Sequence, residues 1–240
     1  MNELIDTHSA GAASSRRAFL KSAAAVAGTG LLYGCASTSV KTAALPAAAP
    51  VPVPPPVAVA VEQATPARVA PRGVRPELFQ RALAALEQHG SRIRQQDRIA
   101  IADFSMASSR LRFHLIDLHS GLTRSLLVAH GIGSDPSHTG TLQRFSNEVG
   151  SEATCEGAFL AANYYVGQHH MSQRLIGLDA TNNNALDRAI VIHAAWYSNP
   201  DMIAKHGKLG RSQGCFAVGQ QDLEKVFSLL GEGRMIYASI

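Results

Sequence analysis

Residues 75–240 predict a mainly β domain, closed into a barrel or folded as a sandwich, with a few short helices. Three observations carry this expectation. Eight short runs rich in Val, Ile, Leu, Tyr and Phe follow one another, separated by turn signals. Only two stretches space their apolar residues as a helix does. With 46% hydrophobic residues, the chain carries enough apolar material for one ordinary core.

The first third does not read as part of that domain. In residues 1–35, Ser15-Arg16-Arg17-Ala18-Phe19-Leu20-Lys21 leads into an Ala- and Gly-rich apolar run, 22–32. Paired arginines before a modestly hydrophobic segment fit a twin-arginine export signal. The run is too short and too weakly apolar to span a bilayer comfortably. Residues 36–74 are mostly Ala, Pro, Val, Ser and Thr, with Pro54-Pro55-Pro56 at their middle. So little apolar area cannot offset the ordering entropy, and an extended spacer, partly polyproline II, is expected. Charge follows the same division. Six Lys/Arg against three Asp/Glu precede Arg75, of 22 and 18 in the whole chain. The formal net charge of +4 therefore comes mostly from leader and spacer, not from a basic face, which argues against nucleic acid as a partner.

In the domain, residues 76–89 put Leu78, Phe79, Ala82, Leu83 and Leu86 on one helical face, with Pro76 in the first turn and Gly90 as the stop. Strands are expected at 98–106, 111–118 and 124–130, then at 157–164, 174–178, 189–194, 216–218 and 234–238. The second alternates, with Leu111, Phe113, Leu115 and Asp117 opposite Arg112, His114, Ile116 and Leu118. Residues 221–230 read as a short helix. Between them, 131–153 is long, polar and rich in Gly and Ser, which marks a loop of the length that often serves function.

The chemistry concentrates at 193–218. His193 ends the apolar run Ala189-Ile190-Val191-Ile192, and Gly210-Arg211-Ser212-Gln213-Gly214-Cys215 follows. A cysteine just after a glycine sits on a tight turn, where the sulfur is presented and neighbouring N–H groups converge on one spot. Cys215 is thus the candidate nucleophile and His193 the base that deprotonates it. Gly214 and Cys215 supply candidate oxyanion N–H groups. Gln213 is a further amide donor, and Arg211 suits a substrate carboxylate. Two readings of Cys215 stand at this point: a free thiol, or half of a disulfide with Cys155 in an oxidising compartment. His169-His170 are adjacent and point to opposite faces of a strand, and no other histidines stand at a metal-ligand spacing, so neither metal nor organic cofactor is expected.

The pattern His193 followed by Ser212-x-Gly214-Cys215-x-Ala217-Val218, within IVIHAAWYSNP and KHGKLGRSQGCFAV, resembles the L,D-transpeptidase catalytic domain. The resemblance extends more weakly to Ile101-Ala102-Asp103-Phe104-Ser105, Leu115-Ile116-Asp117-Leu118 and Val128-Ala129-His130-Gly131. It implies a β-rich catalytic fold acting on peptidoglycan stem peptides. Cys215 would form a thioester that passes to an amine, giving a cross-link, or to water, giving L,D-carboxypeptidase trimming. Ser212 would orient the base or the turn, and His206 would lie near the site. Leu32-Tyr33-Gly34-Cys35 resembles a bacterial lipoprotein box, which implies lipidation at Cys35 and a membrane-tethered periplasmic enzyme. Departures at Ala194-Ala195, Gln213, Phe216 and Ala217 keep a second reading open, an inactive peptidoglycan-binding envelope lipoprotein.

Overall fold

The computed structural model describes residues 68–240, so the expected export signal, Cys35 and nearly all of the spacer lie outside the described residues. A helix, α1 (Pro76–Gln88), precedes three strands, β1 (Arg98–Asp103), β2 (Phe113–Asp117) and β3 (Thr123–Leu126). After a long loop come β4 (Gly157–Gly167), β5 (His170–Gly177) and β6 (Val191–Ala194). A short α2 (Asp201–His206), β7 (Phe216–Val218), α3 (Leu223–Leu230) and β8 (Met235–Ser239) complete the chain.

All eight strands form one sheet in the order β3-β2-β1-β8-β4-β5-β6-β7. The pairs β1–β8 and β6–β7 are parallel, and the others antiparallel. Beyond β3 the chain crosses to the opposite edge strand. Ala129 bridges Ala217 and donates its N–H to the Ala217 carbonyl at 2.9 Å, and Gly131 bridges Ser212. The two edges of the sheet are therefore stitched together, which satisfies backbone groups that open edges would leave unpaired.

Alternation along the strands sorts the core into two layers. Ala100 and Ala102 of β1 join Phe113, Phe159, Ile192, Phe216 and Ile236 in the larger cluster. Ile99 and Ile101 face the other way and pack with Leu78, Phe79, Ala82 and Leu86 of α1. Phe216 is the hub of the first layer, with ring centroids 5.4 Å from Phe159, 6.0 Å from Phe104 and 6.4 Å from Phe113. Such aromatic pairs add about 0.5–1.5 kcal/mol each beyond the area they bury. They pin the start of β7, and with it the residue just before, Cys215.

The mainly β architecture and both periodic helices are as expected, and the differences have local causes. β3 stops at Leu126 because its continuation pairs with β7 instead of β2. The β4–β5 hairpin is longer than expected, its register running on to Gly167 opposite His170 past an irregularity between Ala161 and Tyr164. Leu111 is exposed, whereas Arg112 is completely buried. Its guanidinium donates to the carbonyls of Val128 and Met106, which overrides the alternation expected of that strand. α2 escaped notice because it has no fully buried residue and so no apolar face to signal it.

Candidate active site

The parallel pairing of β6 with β7 sets His193 opposite Ala217. It thereby brings the end of one strand beside the turn that begins the next. Cys215 and His193 line one cavity of about 400 Å³, together with Arg211, Ser212 and Gln213. Five of the expected site residues therefore meet in one place.

His193 is nearly buried, and its Nδ1 lies 2.9 Å from the Ala194 carbonyl oxygen. A carbonyl only accepts, so Nδ1 carries the proton and Nε2 holds the free lone pair. Burial pushes the imidazole below its ordinary range; the Ala194 hydrogen bond opposes this and the neighbouring His169 reinforces it. His193 is thus neutral near pH 7, the form a general base needs. His169, at the tip of the β4–β5 hairpin, stacks on it with centroids 4.2 Å apart.

Cys215 and Cys155 are both free, so no disulfide joins them. The Cys215 thiol points to the Ala189 carbonyl, 3.6 Å away, rather than to the imidazole. Burial pushes it up, while the Val191 N–H and the Arg188 charge pull the other way. Ala189 holds a positive φ of 53°, a strained conformation for a residue with a side chain.

Ser212 secures the turn. Its hydroxyl donates to the Cys215 carbonyl at 2.7 Å and accepts the Gly214 N–H at 3.2 Å. The Gly214 N–H, a candidate oxyanion donor, is therefore already engaged. Gly214 has φ 107°, and a Cβ there would lie 2.6 Å from the Ala153 carbonyl oxygen, so only glycine fits. Behind the turn, the Ser212 N–H reaches the His130 carbonyl at 2.9 Å, and the Ile132 N–H reaches the Ser212 carbonyl at 2.7 Å.

Arg211 and Gln213 line the cavity but are tied elsewhere. Arg211 donates to the carbonyls of Asp135 and Pro136, and the Gln213 amide to a Glu152 carboxylate oxygen at 2.9 Å. His206, expected near the site, lies exposed at the end of α2 and does not line the cavity. The loop 131–153 borders the site through Glu152 and Ala153. Asn147 fastens it to residues 180–184 with several hydrogen bonds.

Tyr165, Gln168 and Arg188 line the cavity without any sequence signal, and Tyr197 lines it from within the IVIHAAWYSNP stretch. Burial pushes the Tyr197 phenol up to about 12, with the nearby Cys215 adding to the shift, so it remains a donor at neutral pH. Gly210 makes room for it, since a Cβ there would sit 2.6 Å from Tyr197 Cβ. No group of three His, Cys, Asp or Glu side chains among the described residues is arranged to hold a metal ion. No helix among them is long and apolar enough to cross a membrane.

No curated protein matches this chain in sequence. Among solved structures, an L,D-transpeptidase from Mycobacterium smegmatis is 12% identical, with 60% of this chain on 59% of that one and a TM-score of 0.37. An L,D-transpeptidase from Stackebrandtia nassauensis is likewise 12% identical, covering 61% of this chain and 57% of that one, TM-score 0.37. The helical cell shape determining protein of Campylobacter jejuni is 13% identical, over 65% and 53%, TM-score 0.37. The chain thus spans little more than half the length of these proteins. The family model for the L,D-transpeptidase catalytic domain matches residues 70–239, well over half of this chain. It takes in both strands of the cavity and the Cys215 turn between them, and the chain belongs to that family.

Proposed function

We propose that this chain is an exported, cysteine-dependent peptidoglycan L,D-transpeptidase. The observation that carries the reading is the pairing of a free thiol with a neutral imidazole of defined tautomer in one cavity. The Cys215 thiol leaves the Ala189 carbonyl and gives its proton to His193 Nε2. The thiolate attacks the carbonyl carbon of an L,D peptide bond in a stem peptide. His193 returns the proton to the departing D-amino acid amine, leaving a thioester on Cys215. With the Gly214 N–H held by Ser212, the Cys215 N–H and the Tyr197 hydroxyl serve the oxyanion. An amine then takes the acyl group as a cross-link, or water releases it as in an L,D-carboxypeptidase. Lipidation of Cys35, with residues 36–74 as spacer, would tether the domain at the envelope.

The test is mass spectrometry of the full chain and of purified tetrapeptide muropeptides after incubation, with Cys215→Ala alongside. Loss of the terminal D-amino acid or a new cross-linked dimer, absent with the variant, is expected. A folded protein whose Cys215 titrates but gives neither adduct nor product would be the binding module instead. The buried, carbonyl-bonded resting thiol is the observation that favours that second reading.

A further inference from the structure

Arg188 belongs to no strand or helix, and nothing in its sequence neighbourhood marks it out. It lies in the tight turn before β6, where its N–H reaches the Asn184 carbonyl at 2.9 Å. Its side chain runs under the nucleophile turn. Nη1 donates to the Ser146 carbonyl at 2.7 Å and to Cys155 Sγ at 2.6 Å, and Nη2 donates to the Ala153 carbonyl. A Cβ built on Gly214 would lie 3.1 Å from Nη2, so the guanidinium sits beside Gly214, the residue before Cys215. Arg188 and Cys215 line the same cavity.

Every one of these partners is formally neutral. Among the described residues, no carboxylate forms an ion pair with Arg188. Carbonyl dipoles fix a guanidinium in place without cancelling its charge, whereas a carboxylate would do both. A half-buried cation without a counter-ion complements an anion that forms beside it. The anion that chemistry at this turn creates is the sulfur of Cys215.

We infer that Arg188 is a positioning residue for the nucleophile: its fixed, uncancelled charge favours the thiolate of Cys215 over the thiol. Its field counteracts the burial that holds the thiol protonated, and it bears on Cys155 in the same way. On His193, by contrast, the influences are burial, the Ala194 carbonyl and His169. A cation held beside the Cys215 turn favours the state in which the sulfur carries the negative charge.

The inference rests on Cys215 being the nucleophile, yet it can be tested without turnover. The full chain is alkylated with iodoacetamide across pH 5.5–10, and the rate at Cys215 is resolved from that at Cys155 by peptide mass spectrometry. Arg188→Met should move the midpoint of the Cys215 profile up by about one pH unit, a roughly tenfold slower reaction near pH 7. Arg188→Lys, which keeps the charge but loses the fork, should stay near the parent profile. Should the Met variant fail to fold, Arg188→Gln keeps a donor for the Ser146 carbonyl without the charge and reads the same midpoint. Coincident profiles for a folded neutral variant and the parent would overturn the inference. So would equal shifts for Lys and for the neutral variants, because that pattern marks a purely structural role. A shifted profile in a chain that turns over no muropeptide would leave this inference standing and count against the proposed reaction alone.

Discussion

Arg112 and Arg188 both donate to backbone carbonyls, but one is sealed in the core and the other opens onto the cavity that Cys215 lines. Arg112 is fully buried; its Nε and Nη2 reach the Val128 carbonyl at 3.1 and 2.9 Å, and its Nη1 the Met106 carbonyl at 2.8 Å. Its Nη2 also lies 2.8 Å from His130 Nδ1. Because a guanidinium only donates, His130 accepts at Nδ1 and carries its proton on Nε2, 3.4 Å from Asp135 Oδ2. Burial lowers Arg112 to about 9, with the charges of Asp103 and Asp135 opposing, so it stays cationic at neutral pH. Asp135 in turn takes the N–H groups of Thr139 and Gly140 at 2.8 and 2.7 Å. The His130 carbonyl then holds Ser212. Both arginines thus donate to neutral partners, but the charges of Asp103 and Asp135 bear on Arg112, which anchors the scaffold, whereas Arg188 opens onto the cavity that Cys215 lines.

Stability separates the two arginines most. Arg112→Met should destabilise the fold by about 3–5 kcal/mol, because it strands the buried Val128 and Met106 carbonyls at about 1–3 kcal/mol each and the Nδ1 of His130. Arg188→Met should cost clearly less. Urea unfolding of both variants checks the order, and a larger loss at Arg188 would reverse the assignment of roles.

A pH effect comes second. Burial, with the Arg112 charge, pushes His130 down to about 4. Above its unfolded value near 6.5 the ring is neutral in both states. As pH falls from there towards 4, the unfolded chain takes up a proton that the folded one refuses. Stability is therefore present above pH 6.5 and lost on acidification across that window, by roughly 3 kcal/mol for His130. His114 and His193, shifted down by burial, add to the same trend. Denaturant midpoints at pH 7, 5.5 and 4.5 should fall progressively, and His130→Gln should flatten that dependence. An unchanged slope would place the acid sensitivity elsewhere.

The smallest expected effect lies at the Ser212–Cys215 turn itself. Ser212→Ala removes the hydroxyl that ties the Gly214 N–H to the Cys215 carbonyl, at about 1–2 kcal/mol of stability. Thermal unfolding reads that loss. The same variant should alkylate at Cys215 with a midpoint near the parent's, since no charge is removed.

Period-2 and helical spacing marked the strands and the two apolar helices, because each of those segments buries one face and the pattern records it. Where burial is not apolar, pattern reading failed. Arg112 looked like the polar side of a half-buried strand, yet carbonyls from two other segments take it into the core. α2 exposes most of its surface and carries no stripe to read. Cys215, His193 and Ser212 were visible as a spaced motif because a Gly-Cys turn after a strand-end histidine has its own local pattern. Tyr165 and Arg188 reach the cavity from separate segments, and no local spacing signals that.

The β-rich class and the resemblance at 193–218, with Cys215 and His193 as its candidate thiol and imidazole, were legible in the amino-acid sequence alone. Local sterics and burial periodicity are written residue by residue. The parallel pairing of β6 with β7, the meeting of both sheet edges at 129–131 and the place of Arg188 beside Gly214, with no ion-paired carboxylate among the described residues, emerge only in three dimensions. Those outcomes depend on backbone groups distant along the chain finding their partners, and on the fields that such an arrangement creates.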